Sequence, residues 1–163
     1  MSPSIIYNFQ KDASTTNWRV VDDGVMGGLS QGKLKVDNEG NGLYSGTVST
    51  ENNGGFSSLR YRFDAIEASE DQSIVLRIKG DGKKYQFRVK DKVNQYYSYI
   101  YTFQTSGEWQ TVKIPLAEMY PSYRGRKLNT PNFKHSQIEE IAFLIGNKKA
   151  ESFELIIDKI ELE

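Results

Sequence analysis

Polar and apolar residues alternate with a period of two along most of the chain. Tyr85, Phe87 and Val89 interleave with Lys84, Gln86, Arg88 and Lys90, which makes one side of an extended segment apolar and the other wet. Ile74, Leu76 and Ile78 interleave likewise with Ser73, Arg77 and Lys79, with Val75 as an extra apolar residue. Similar patterning predicts strands over Ile5–Phe9, Gly32–Val36, Gly42–Ser49, Phe56–Phe63, Tyr97–Gln104, Trp109–Pro115, Ile138–Ile145 and Phe153–Leu162. No stretch outside these sustains three amphipathic helical turns. Leu116–Tyr120 predicts a single turn after Pro115, and Ser136–Glu140, a Ser followed by two Glu, a short capped turn. Many short strands separated by Gly and Asn predict an all-β, antiparallel β-sandwich in one domain without linker or repeat.

Two segments interrupt the alternation. One runs from Asp22 to Gln31 and carries Gly24, Gly27, Gly28 and Ser30; the other runs from Leu116 to Ser136. Loops this long are often functional, so both are candidates for the working end.

Composition narrows the chemistry. Lys plus Arg and Asp plus Glu each number 21, so the formal net charge is zero. That argues against bulk electrostatic capture of nucleic acid. The chain has no cysteine, which excludes disulfides, thiolate nucleophiles and zinc–thiolate sites. Met1–Phe9 lacks the basic and apolar regions of a signal peptide, and no apolar run is long enough to span a bilayer. The expected location is therefore cytoplasmic.

Each candidate motif has a structural and a functional reading. Asp22-Asp23-Gly24-Val25-Met26-Gly27-Gly28 lacks the Lys and spacing of a phosphate loop and has no βαβ unit around it. Its paired acids either bind a cation or cap the loop amides. Glu51-Asn52-Asn53-Gly54-Gly55-Phe56 reads as a hairpin turn, with Asn52, Asn53 and Phe56 as an alternative polar-ligand surface. Gly80-Asp81-Gly82 reads as a second hairpin turn, with Asp81 as metal ligand the lesser reading. Arg124 and Arg126, flanking Gly125, suit a carboxylate or phosphate. With balanced charge the favoured pairing is internal, Asp22 or Asp23 with Arg60, Arg124 or Arg126. Tyr97, Tyr99, Tyr101 and Phe103 share a strand face that is either core or sugar platform. The basic positions among Arg77–Lys92 read as a solvated face. A lone histidine, His135, supports neither a His-rich metal site nor nucleophilic catalysis.

Five blocks in order resemble the complex I intermediate-associated protein 30-kDa family. They are Trp18 with Asp22–Gly28 and Ser30; Glu51–Phe56 with Ser58 and Arg60; Gly80–Gly82 with Tyr85 and Phe87; Trp109, Ile114-Pro115 and Arg124–Arg126; and Gln137-Ile138, Ile141 and Phe153-Leu155-Ile157. The resemblance implies a galactose-binding-like jelly-roll. It also implies a non-catalytic role, because mitochondrial members act as assembly factors, or chaperones, for respiratory complex I. Two functions are therefore expected to compete: a protein-interaction or assembly-factor module, and a carbohydrate-binding module. In both, the expected binding residues are Trp18, Asp22, Asp23, Met26, Asn52, Asn53, Phe56, Arg60, Asp81, Arg124 and Arg126. No catalytic residue, metal or cofactor is expected; nor is a nucleic-acid partner.

Overall fold

The computed structural model describes residues 4–11 and 14–163, and for Val25, Met26 and Asn53 the backbone alone. The side chains of two candidate residues, Met26 and Asn53, therefore lie outside the described part. The described chain contains β1 (Ser4–Asn8), β2 (Trp18–Asp22), β3 (Gln31–Val36), β4 (Gly42–Val48), β5 (Ser57–Glu67), β6 (Ser73–Lys79), β7 (Lys84–Lys90), β8 (Ser98–Gln104), β9 (Trp109–Pro115), β10 (Tyr120–Tyr123), β11 (Arg126–Lys127), β12 (Gln137–Ile145) and β13 (Glu151–Leu162). They form two antiparallel sheets, a jelly-roll sandwich. One sheet runs β3-β4-β13-β6-β9; the other runs β11-β10-β8-β7-β12-β5-β2. β1 completes the first sheet. It pairs with the second half of β13 while β4 pairs with the first half, so the two lie end to end along one side of that strand.

The period-two pattern is what sorts the faces. Tyr85, Phe87 and Val89 of β7 point into the core, as do Ile141, Phe143 and Ile145 of β12, and Ile74, Leu76 and Ile78 meet them from β6. The tyrosine run settles as core: Tyr99 and Phe103 are buried, and Tyr97 and Tyr101 pack against them. Trp18 stacks on Tyr61 at 4.8 Å and on Phe9 at 5.5 Å, with Tyr7 edge-on at 5.2 Å. This aromatic group ties β1 of one sheet to β2 and β5 of the other. Burial of each large side chain is worth about 1.5–3 kcal/mol.

Several elements differ from the sequence expectation. β2 was hidden because its residues run straight into the glycine-rich loop. β10 and β11 lie inside the expected loop Leu116–Ser136, where Pro121 argues against a strand. Pro121 is accommodated because its outer neighbour, β11, is only two residues long. Only Leu116–Glu118 is helical there, as one 3₁₀ turn. Ser136–Glu140 is not a capped turn, since β12 starts at Gln137 and pairs with both β5 and β7. Neither expected hairpin forms. Gly80–Gly82 links β6 to β7, and Glu51–Phe56 links β4 to β5, so each carries the chain from one sheet to the other. The Gly and Asn residues mark sharp reversals, but a turn signal does not specify which sheet the next strand joins.

Candidate functional site

The glycine-rich loop is organised around one carboxylate. Asp23 is fully buried. Its Oδ1 accepts the Ser30 amide at 2.9 Å, and its Oδ2 accepts the Ser30 hydroxyl and the amides of Gly55 and Phe56, the last at 3.2 Å. Burial by itself would raise its pKa. The hydrogen bonds from Ser30, Gly55 and Phe56 outweigh burial and hold the group below the usual carboxylate range. A Cβ at Gly28 or Gly54 would strike this carboxyl group, which explains why both positions lack a side chain. Asp22 accepts the Gly32 amide at 2.9 Å. The expected Asp–Arg pairing is absent: among the described residues neither acid forms an ion pair, because Asp23 is already saturated by donors and Asp22 turns to Gly32. Arg124 and Arg126 are exposed on the β10–β11 hairpin, where Arg124 (φ 49°) and Gly125 (φ 79°) form the turn.

The other expected residues scatter. Trp18 is 7% exposed and belongs to the core. Asp81 accepts the Tyr85 hydroxyl at 3.0 Å and the Glu154 amide at 2.8 Å, fastening the sheet-to-sheet turn to β13. Asn52 is exposed with φ 56°, and Phe56 is half-buried beside Asp23. His135 meets the Tyr99 hydroxyl at 2.8 Å and the Asp91 carboxyl at 3.4 Å. Burial, with Tyr97 and Asp91 adding to it, raises the Tyr99 pKa above its ordinary value.

Of the expected residues, Arg60 alone lies on the feature that the register of the seven-stranded sheet assembles. On its outward face Tyr120, Ile100, Arg88, Ala142, Arg60 and Arg19 stand opposite one another in turn across β10, β8, β7, β12, β5 and β2. Directly opposed residues share a face. Lys90, Glu140 and Arg62 form the adjacent row. Thr102, Gln86, Leu144, Ser58 and Val21 form the row on the other side. Across these rows Glu140 is the single carboxylate. It is 3% exposed and accepts Arg62 Nε at 2.7 Å.

The remaining cations on this face have no carboxylate partner among the described residues. Arg88 gives two hydrogen bonds, 3.1 and 2.8 Å, to the side-chain carbonyl of Gln86, and Arg60 gives one at 3.3 Å to Ser58. Burial first, then repulsion from Arg60, draws Arg88 down to about 10, against the opposing influence of Tyr120. Arg60 is lowered by burial, which outweighs Glu140, and by Arg19 and Arg62. Lys90 is lowered by burial and by Arg60, Arg62 and Arg88, again against Glu140. Ile100, Ala142 and Leu144 are buried yet stand apart from the core cluster, beneath these long polar side chains. A zero net charge thus conceals a strongly cationic sheet face. Among the described residues no group of three or more His, Asp or Glu is placed to hold a metal ion. No helix among them is long and apolar enough to cross a membrane.

The chain is a jelly-roll sandwich of two antiparallel sheets with a polar sheet face turned outward. In fold it matches a family 11 carbohydrate-binding module from Clostridium thermocellum, solved with a β-1,3-1,4-mixed-linked tetrasaccharide. The TM-score is 0.72 at 19% identity, over 98% of this chain and 94% of that one. The chain belongs to the Complex I intermediate-associated protein 30 family, whose pattern matches residues 7–157. It is 26% identical to mouse "Complex I intermediate-associated protein 30, mitochondrial" over 96% of its own length and 55% of the relative's. It is 30% identical to the uncharacterized protein C9E9.15 of Schizosaccharomyces pombe, over 88% and 76% respectively. The chain therefore spans about half the length of the mouse relative.

Proposed function

We propose that the chain is a non-catalytic binding domain, a protein-interaction module of the assembly-factor type related to those of respiratory complex I. Its partner presents an acidic surface to the outward face of the seven-stranded sheet. The observation that carries this is the row Arg88–Arg60–Arg19, reinforced by Lys90, on a face with one carboxylate already committed to Arg62. Partly desolvated cations without counter-charge are stabilised by an incoming carboxylate, and like-charge crowding on the free protein makes that gain larger. Among the described residues the lone histidine meets a tyrosine hydroxyl and a carboxyl group rather than a serine or threonine hydroxyl, which supports the non-catalytic reading. The His135 imidazole is engaged by Asp91 and Tyr99, and a Tyr99 hydroxyl with a raised pKa stays protonated near neutrality.

The carbohydrate reading is favoured by the fold neighbour's bound tetrasaccharide. On this chain Trp18 and the tyrosine run face the core, so a sugar has only Tyr120 as an aromatic surface on the cationic rows. Titration with polyglutamate and with a mixed-linked β-glucan tetrasaccharide separates the two. Polyglutamate binding that falls steeply with salt and disappears in Arg60→Glu is the expected result. Binding of the neutral tetrasaccharide, with none of polyglutamate, overturns the assembly-factor reading in favour of the sugar one.

A further inference from the structure

At its β10–β11 end the cationic face deepens into a recess of about 290 Å³ lined by Gln86, Arg88, Ile100, Tyr120, Ser122 and Lys127. We propose that this recess binds a phosphoryl group carried on a side chain of the partner's acidic segment, an inference that rests on the reading of the cationic face as a protein-binding surface.

The lining supplies donors and no carboxylate. Gln86 accepts two hydrogen bonds from Arg88 through Nε and Nη2, which fixes the guanidinium plane and leaves Nη1 without an acceptor among the described residues. The side chains of Ser122, Tyr120 and Lys127 likewise give no hydrogen bond to another described residue. Ser122 is buried, and the exposed Lys127 ammonium stands 5.4 Å from the centre of the Tyr120 ring, which favours keeping its charge beside the recess. Two cations and two hydroxyls offer more donors, and from more directions, than a planar carboxylate accepts. They match a group with three acceptor oxygens and a charge of about −1.5 to −2 near neutrality. Ile100 is buried there outside the core and gives the recess an apolar floor. Burial and the field of Arg60 already disfavour a charged Arg88, so a dianion relieves an existing strain.

The geometry also says how the group arrives. The recess lies at one end of the row that runs through Arg88 and Arg60 to Arg19. Six strands at a spacing of about 4.8 Å make a track of roughly 24 Å, the reach of about seven extended residues. A segment with carboxylates along that track and a phosphorylated side chain at its end satisfies both features at once.

The test uses inorganic phosphate and acetate at constant ionic strength, followed by NMR shifts of the full chain. It adds a polyglutamate peptide and the same peptide ending in phosphoserine. The variants are Arg88→Met, Lys127→Met and, as a control on the other sheet, Lys35→Met. Lys127 sits on an exposed two-residue strand, so its variant probes the recess even if Arg88→Met disturbs folding. Phosphate is expected to bind at least about tenfold more tightly than acetate. It should weaken about tenfold or more in Arg88→Met and Lys127→Met and be unchanged in Lys35→Met. The phosphoserine peptide should bind more tightly than either phosphate or the unmodified peptide. Acetate binding as well as phosphate, phosphate binding indifferent to Arg88 and Lys127, or a phosphopeptide no tighter than its parent each overturns the proposal. If polyglutamate binds while phosphate does not, the recess fails and the acidic-partner reading stands. If phosphate binds while polyglutamate does not, the acidic-partner reading fails.

Discussion

Replacing Arg88 by Met should make the protein more stable. The guanidinium is drawn down to about 10 from an ordinary value of roughly 12.5. At about 1.4 kcal/mol per pH unit, the charged side chain costs the folded state about 3 kcal/mol relative to the unfolded chain. At neutral pH it is charged in both states, so this cost is present in full. It diminishes only as the pH rises above about 10, where the folded state sheds the proton before the unfolded one does. Met keeps the aliphatic stem over the outward apolar residues and removes the charge. Against that gain stands the loss of two hydrogen bonds to Gln86, worth about 1–2 kcal/mol together, with the half-buried Gln86 carbonyl left to water. The expected net stabilisation is about 1–2 kcal/mol, a rise in Tm of roughly 2–8 °C for a chain of this size. Urea unfolding should show a higher midpoint with an unchanged slope. Lys35→Met on exposed β3 serves as the control and should move stability by less than about 0.5 kcal/mol. A loss of more than about 1 kcal/mol in Arg88→Met would mean that local contacts outweigh desolvation and that the face holds no unrelieved charge.

Asp23→Asn should destabilise by about 2–4 kcal/mol in thermal melts, because an amide cannot accept all the donors now aimed at the carboxylate. The folded pKa of Asp23 is depressed, so its contribution is full above the unfolded value of about 4 and is lost as pH falls through the folded value; acid titration of wild type against Asp23→Asn should show that difference disappearing. Gly28→Ala, which sets a methyl group against the Asp23 carboxyl, should cost about 1–3 kcal/mol by chemical denaturation. Trp18→Ala should lose about 3–5 kcal/mol, as a core residue does; a fully stable variant in which only sugar binding is lost would instead make it a platform. A double-mutant cycle of Asp23→Ala with Arg126→Ala should give coupling below about 0.5 kcal/mol, since no ion pair joins them.

The sandwich was legible because burial on one side of a strand writes itself into every second residue, as in Tyr85–Val89. Ile138–Ile145 shows where that signal fades, because neighbouring side chains cover both of its faces. The site was much less legible. Arg19, Arg60 and Arg88 are far apart in sequence, and only the pairing of β2 with β5, β5 with β12 and β12 with β7 lines them up. A local pattern shows Arg88 and Lys90 as a wet strand face and carries no information about which other strands share it. The Asp22–Gly28 loop misled for the opposite reason. Its density of Gly and Asp is conspicuous locally, yet it serves to enclose Asp23, whose partners Gly55 and Phe56 come from the next sheet crossing.

β13 runs for 12 residues through the middle of the six-stranded sheet, flanked by β6 on one side and by β1 and β4 end to end on the other. Until it is in place, those three strands have no partner along the edges it will occupy. A chain leaving the ribosome therefore carries unpaired edges of β1, β4 and β6 until Glu151–Leu162 follows them. Edges of that kind invite pairing with other chains. Loss of the stretch from Glu151 onward should accordingly show as aggregation during synthesis rather than as a modest fall in melting temperature.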